Sequence, residues 1–485
     1  MNTCELPLLP LILAEAPVGL AGLLEQEGVP TRRHQAGSTE GRFVLYDSRR
    51  ADAPPLANGQ TAIDVHFLRE LAGGDPWREL ADSQAELVRW SVGHLLVREQ
   101  VARVDRRVLR QRLLGALRAR LERAGGVWMR VGAFPFPYRT AFNFRFDHDV
   151  HLPADFDAAL DALEGHEAAA SHYVCGAAYE PQPEALARLR GQDVGAHGYY
   201  HHTYPDAESN RRNIARGLDV LRRAGIRPSG FVAPHGRYNQ ALVSVLGELG
   251  ITHSSEFGFA YDELPLWPAG ANVLQVPVHP ICLGLCLDAA ARLPDAGADE
   301  LRSAADAMAG HFCRLAVAKH AAGEPIFFYG HPDRRLGRYP WVLSSVLRTI
   351  EQLPGIWPVT LTRFAEWWRA RSELRVSVER QGDRLTIRTT QRPLACEAVG
   401  ELVRDEGIAT LRLDGAVVHA RLEQLSFEPR PPRPPLPCER LGSPRDLRSF
   451  VCRWLDWEKE TPIDEIYGRP VRSWMKRTLR RIRSR

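Results

Sequence analysis

Two short stretches of the chain carry residue types that do chemistry together: Asp147-His148-Asp149, and His197 with His201 and His202 about fifty residues later. Histidines four apart fall on one face of a helical turn, so two imidazoles can converge on one ion. A nearby carboxylate completes a facial N,N,O set and leaves positions for water and substrate, as a hydrolase needs. Zinc suits such a donor set best, ahead of cobalt, nickel or iron. Neither stretch is specific alone, because i,i+4 histidine pairs are often solvated and Asp-x-Asp is often a turn or a cap.

The elements around them sharpen the reading. Ala141-Phe-Asn-Phe-Arg-Phe reads as a buried strand running straight into Asp147, and Gln192-Asp-Val-Gly-Ala leads into His197 in the same way. Both motifs therefore fall at strand C-termini, where α/β barrels and open parallel sheets build their active sites. From about 136 to 370, strand-like runs (142–146, 171–175, 193–197, 229–234, 251–255, 274–278, 326–329, 357–361) alternate with amphipathic helices. Two of these, Asn210 to Ala224 and Asn239 to Leu249, stop at Gly225 and Gly250, as helix C-termini prefer. A βαβα order of this kind predicts one parallel sheet, closed or nearly so.

The ordered motifs of this segment resemble the NodB-like polysaccharide deacetylases, carbohydrate esterase family 4, and make it a divergent member. The resemblance implies a distorted (β/α) barrel that removes acyl groups from sugars with a bound divalent metal. It makes Asp147 the general base and Asp149 a metal ligand, although the family's two aspartates are adjacent and here His148 separates them; His148 and His151 stay open as participants. It makes His197 and His201 metal ligands, with His202 a competing neighbour. The family's third motif carries Arg-x-Pro, its arginine orienting the base. Here the stretch from Gly230 to Asn239 keeps Pro234 and Gly236 but has Val232 at the arginine position. Arg237, in the same loop, is expected to supply the charge ahead of Arg145, and Pro234, His235 and Tyr238 to line the substrate site. His331, after the strand-like Ile326 to Gly330, matches the family's last motif and would be the general acid; His279 also ends a strand and has no assigned role. The backbone amide of His202 is a candidate donor to the oxyanion. The function implied is a metal-dependent deacetylase acting on an amino sugar of a surface polysaccharide or lipid-linked glycan. Two rivals remain: a degenerate barrel that binds or scaffolds glycans, and the same fold cleaving a formyl group, a cyclic amide or an O-ester.

The rest of the chain of 485 residues sets the context, and its length predicts about three domains. Hydrophobic content of 44% and charged content of 25% are those of a globular protein, and a net charge of +4 does not point to nucleic acid. Residues 1–135 read as an α/β domain whose last helix, Ser91 to Arg123, sets a leucine stripe between solvated arginines. Residues 371–430 alternate apolar and polar residues, predicting an antiparallel β module with one wet face. A proline-rich linker follows from Arg430, leading to a separate tail. There Val471, Met475, Leu479 and Ile482 recur at helical spacing among arginines and lysines. That basic amphipathic helix fits an anionic membrane surface, or equally a solvated or partner-bound tail. The eight cysteines have no paired framework and read as reduced core residues. The apolar Pro7 to Ala14, broken by Pro10, is neither a signal peptide nor a span, so the expected location is cytoplasmic, peripheral at the inner membrane face if the tail tethers.

Overall fold

The computed structural model describes residues 6–441 except for 36, 83–84, 93–94, 205, 237, 257–263, 269–270, 291–296, 391–396 and 433–437. The proposed amphipathic tail, Arg237, and Cys4, Cys396 and Cys452 lie outside the described residues.

Each of the eight strand-like runs of the central segment contains a strand: β1 (Thr140–His148), β2 (Ala170–Val174), β3 (Asp193–Ala196), β4 (Gly230–Phe231), β5 (His253–Ser254), β6 (Leu274–Gln275), β7 (Ile326–Gly330) and β8 (Ile356–Pro358). They form one parallel sheet in the order β6-β5-β4-β3-β2-β1-β7, with β8 paired to the start of β1. Between β6 and β7 the gap is spanned by the chain after β6, where His279 N–H donates to Phe327 O at 2.8 Å and Leu283 N–H to Tyr329 O at 2.9 Å. The result is a distorted (β/α) barrel. Three of its helices are capped by side chains: Asp206 accepts from Ser209 N–H, Asn239 from Leu242 N–H and Thr360 from Arg363 N–H.

The alternation of β1 sorts its residues between two environments. Phe142, Phe144 and Phe146 join the apolar cluster with the helices Ala298–Ala322 and Pro340–Glu351. Asn143, Arg145 and Asp147 point the other way, into the barrel, where Asn143 Nδ2 bonds Ser171 Oγ at 3.0 Å and Val359 O at 2.9 Å. Most of this polar interior is partnered, but Asn143 Oδ1, Arg145 Nε and Asp147 Oδ1 have no hydrogen-bond partner among the described residues, at a cost of about 1–3 kcal/mol for each buried group left unpaired.

Outside the barrel the structure differs from expectation in three places. Residues 91–92 and 95–102 are strand, not helix: Ala85–Val92 and Leu95–Ala102 pair antiparallel, and the helix is Arg106–Arg123, capped by Asp105. Val88, Trp90, Val92, Leu95, Val97 and Val101 are all buried, and burial of one strand face outweighs the helical spacing of the leucines downstream. The arginines of that helix are not all solvated either, since Arg106, Arg107 and Arg110 are buried, Arg107 with Glu324 at 3.5 Å and Arg110 with Glu27 at 3.4 Å. Finally, the chain after the proline-rich stretch is not separate from the start: Glu439–Arg440 adds to the strand Ala85–Val92 at Arg89 and Val88. The β module likewise borrows Met129–Val131, which pairs with Val399–Arg404, and one apolar cluster runs through the N-terminal segment, the barrel floor and the module. Cys175, Cys282, Cys286, Cys313 and Cys438 are free thiols.

Candidate metal centre and active site

Strand parity decides which residues of Asp147-His148-Asp149 meet. Asp147 and Asp149 continue the inward row of Arg145, whereas His148 faces outward, its Nδ1 2.8 Å from the Tyr179 hydroxyl and its Nε2 2.9 Å from His172 Nδ1. Burial and the neighbouring His172 push His148 well below the ordinary histidine value. His151 packs against Phe156 and Tyr179, and His202 against Tyr204. None of the three joins the inward row.

The histidine pair comes together by a route other than the helical turn expected. His197 follows β3 and His201 lies in a loop, because Gly198 takes φ of 77° and turns the chain back. A side chain there would meet Tyr200 O at 2.8 Å as well as strain the backbone. Asn213, on the helix Ala207–Arg223, clamps the loop: its Oδ1 accepts Tyr200 N–H at 2.7 Å and its Nδ2 donates to Tyr200 O and His202 O at 3.0 and 3.1 Å. The His202 amide is not an oxyanion donor, since it already donates to Tyr200 O at 2.7 Å.

Asp149 Oδ1 lies 3.1 Å from His197 Nε2 and 2.9 Å from His201 Nε2, and the two Nε2 atoms are 2.9 Å apart. These three residues form the group able to hold an ion among the described residues. The donor chemistry fits a divalent cation. His197 Nδ1 lies 2.8 Å from Val232 O, a carbonyl that can only accept, so the proton is on Nδ1 and a lone pair on Nε2 faces the carboxylate. Acceptors turned toward each other at about 3 Å match the edge of a coordination shell with bonds of about 2.0–2.1 Å.

Beside the triad, Asp147 is buried with Oδ2 on Arg145 at 2.7 Å, and Oδ1 has no hydrogen-bond partner among the described residues. Arg145 is fully buried, also donates to Ser255 O at 2.5 Å and Ser255 Oγ at 3.1 Å, and lies 4.8 Å above the Tyr329 ring. The cation that the Val232 position lacks thus sits two residues before Asp147 on its own strand. Parity was the sequence signal: residues 145, 147 and 149 of one strand share a face.

His331, just after β7, is 3.5 Å by its Nε2 from Asp149 Oδ2. Its Nδ1 lies 2.7 Å from Arg335 NH1 and 3.4 Å from Cys282 Sγ. Arginine can only donate, so Nδ1 accepts and the imidazole proton is on Nε2, facing the triad. His279 is elsewhere, packed on Phe312 and Phe328. Pro234 is buried; His235, in the left-handed region at φ of 59°, lays its ring 4.6 Å from that of His201. Tyr238 packs on the apolar cluster behind β3 and β4, and burial raises its hydroxyl above the ordinary tyrosine value.

Residues 142–254, which include Asp147, Asp149, His197, His201 and Val232, match the sequence profile of the polysaccharide deacetylase family. The barrel thus holds a segment similar to the polysaccharide deacetylases, with departures at His148 and Val232. No curated protein matches the chain. Among solved structures, a Mycobacterium smegmatis protein assigned to the polysaccharide deacetylases is 20% identical over 49% of this chain and 93% of its own, with a TM-score of 0.42. A Pseudomonas aeruginosa PAO1 protein assigned likewise is 15% identical over 48% and 92%, with a TM-score of 0.40. The PuuE allantoinase is 16% identical over 49% and 92%, with a TM-score of 0.41.

Proposed function

We propose that this barrel is a metal-dependent enzyme that hydrolyses an acyl group, acetyl first, from an amino sugar of a surface polysaccharide or a lipid-linked glycan precursor. The observation that carries the reading is the buried Asp147, with one oxygen on Arg145 and the other without a partner among the described residues, on the strand that also delivers Asp149 to His197 and His201. A divalent ion held by those three, zinc by preference, would polarise the acyl carbonyl and acidify the attacking water. Asp147 Oδ1 is placed to take the water's proton, with Arg145 holding the carboxylate in register. The Nε2–H of His331 is the proton for the leaving nitrogen, and Arg335 fixes the tautomer that presents it. His235, half-buried beside His201, is the side chain placed to meet the sugar, with Pro234 shaping its turn and Tyr238 behind. A degenerate, non-catalytic barrel loses its main sequence argument, because Arg145 replaces the missing arginine.

Among the described residues, no helix is long and apolar enough to cross a membrane. Attachment of the basic tail to anionic lipid belongs to the same proposal, as it would bring the enzyme to a lipid-linked substrate. Co-sedimentation with anionic liposomes at low salt, lost in a chain ending at Arg469, is expected; equal pelleting of both chains refutes it. The activity itself is tested by acetate release from N-acetylated sugars and lipid-linked sugars. Release that stops on chelation and returns with Zn2+ is expected, and no release from any of them with metal restored contradicts the reading.

A further inference from the structure

One buried carboxyl has no part in the chemistry above. Glu256 follows β5, is 0% exposed, and accepts at Oε1 from the Ala233 N–H at 3.1 Å and from the Ser254 hydroxyl. The N–H of Ala233 and the C=O of Val232 are the two ends of one peptide unit. That carbonyl is the one that accepts from His197 Nδ1 at 2.8 Å. The atoms therefore run in a line: carboxylate of Glu256, peptide 232–233, imidazole of His197, and the lone pair on Nε2 among the metal-site atoms.

We propose that Glu256 is a positioning residue for the metal ligand His197, acting through the Val232–Ala233 peptide. Two effects follow from the geometry. A carboxylate on the N–H end pulls electron density toward the carbonyl oxygen, which strengthens its hold on Nδ1–H and makes Nε2 a better donor, as hydrogen bonds in series reinforce one another. It also selects the orientation of the peptide plane. Flipped by half a turn, the peptide would point its N–H at His197, Nδ1 would have to accept, and the proton would move to Nε2, where it blocks coordination. The arrangement resembles a carboxylate–histidine pair with one peptide inserted, in the very segment where Val232 replaces the family's arginine.

The position works against stability rather than for it. Burial lifts the Glu256 carboxyl to about 7, opposed by its bonds from Ser254 and Ala233 and by the charge of Arg145. A neutral amide of the same shape is therefore expected to be tolerated by the fold while losing the charge that acts on His197.

This inference rests on the metal reading, and the test separates the two. Zn2+ affinity is measured by chelator competition on the full chain, the Glu256→Gln variant and the Glu256→Ala variant, with thermal melts for folding. Long-range proton–nitrogen spectra of the zinc-free proteins report the His197 tautomer. Glu256→Gln keeps an acceptor for the Ala233 N–H and should bind Zn2+ about threefold to tenfold more weakly at unchanged melting temperature; Glu256→Ala frees the peptide and should lose about tenfold or more, near the range of outer-sphere changes at metal sites. In the latter the Nδ1–H signature of His197 should weaken. If both variants bind within twofold of the parent and retain its tautomer, Glu256 is not coupled to the site. A parent that binds no Zn2+ overturns the metal reading itself, and this inference with it.

Discussion

At the scale of single residues, two side chains are given opposite tasks by their surroundings. Asp147 has one oxygen fixed by Arg145 and one without a partner among the described residues, so Asp147→Asn should keep the fold and the bound metal while losing the acceptor for the water's proton. A fall in kcat of about 10²–10⁴ with unchanged metal content is expected; a rate within a few-fold of the parent removes Asp147 from the base role. His331 carries its proton on Nε2 because Arg335 donates to Nδ1. His331→Ala should therefore lose more rate on amides, whose amine needs a proton to leave, than on activated esters, and equal losses on both would argue against a general acid there. The clustering of Asp149, His197 and His201 is legible in the sequence because Asp149 and His197 follow buried strand runs and His201 lies four residues beyond His197. Loop proximity points to Arg237, which lies outside the described residues, whereas strand parity points to Arg145, the residue on Asp147. Glu256 left no signal at all, since its partner is a backbone amide that no residue type marks.

At the scale of elements, the barrel strands were legible because fully buried runs such as Thr140–His148 leave little room for another structure. Their ends were not: β4, β5 and β6 are only two residues each, and the hydrogen bonding that continues past them depends on tertiary neighbours. In the stretch 91–102 the strand alternation is weaker than the leucine spacing of the helix that follows, so the helical pattern extends into it in the sequence. The loop bearing His197 and His201 depends on one side chain of another element. Asn213→Ala removes three hydrogen bonds to residues 200 and 202, so Zn2+ affinity should drop by about tenfold with little change in the barrel's circular dichroism. Unchanged affinity would mean that the loop holds its shape without the clamp.

At the scale of the whole molecule, buried ionisable groups set the pH range in which the fold is stable. Burial holds His172 and His311 down to about 4 and lowers His253 as well, from an ordinary value of 6.5. The unfolded chain takes up these protons first on acidification, so the stability they contribute is complete above pH 6.5 and is lost as pH falls toward 4. Glu256, raised to about 7 from 4.5, acts in the opposite sense, its penalty present above pH 7 and relieved toward 4.5. His148 and His151 are lowered too, while Glu25 and Glu122 are raised like Glu256; the lowered histidines outnumber the raised carboxyls, which predicts a melting temperature that falls between pH 6.5 and 4.5, measurable by calorimetry, and a flat or rising curve would contradict it. The same molecule joins its segments through shared sheets, with Met129–Val131 and Val399–Arg404 paired across the barrel's sequence. Such long-range pairing has no local sequence signature, so the alternation of residues 371–430 shows an antiparallel module but not its partner strand Met129–Val131. Everything proposed for the barrel converges on one ion held by Asp149, His197 and His201, and the most direct measurement is elemental analysis of the purified chain beside its His201→Ala variant after dialysis against metal-free buffer. About one divalent ion per chain in the parent and almost none in the variant is the predicted result; an empty parent that takes up no Zn2+, or a variant that keeps its ion, would contradict the assignment.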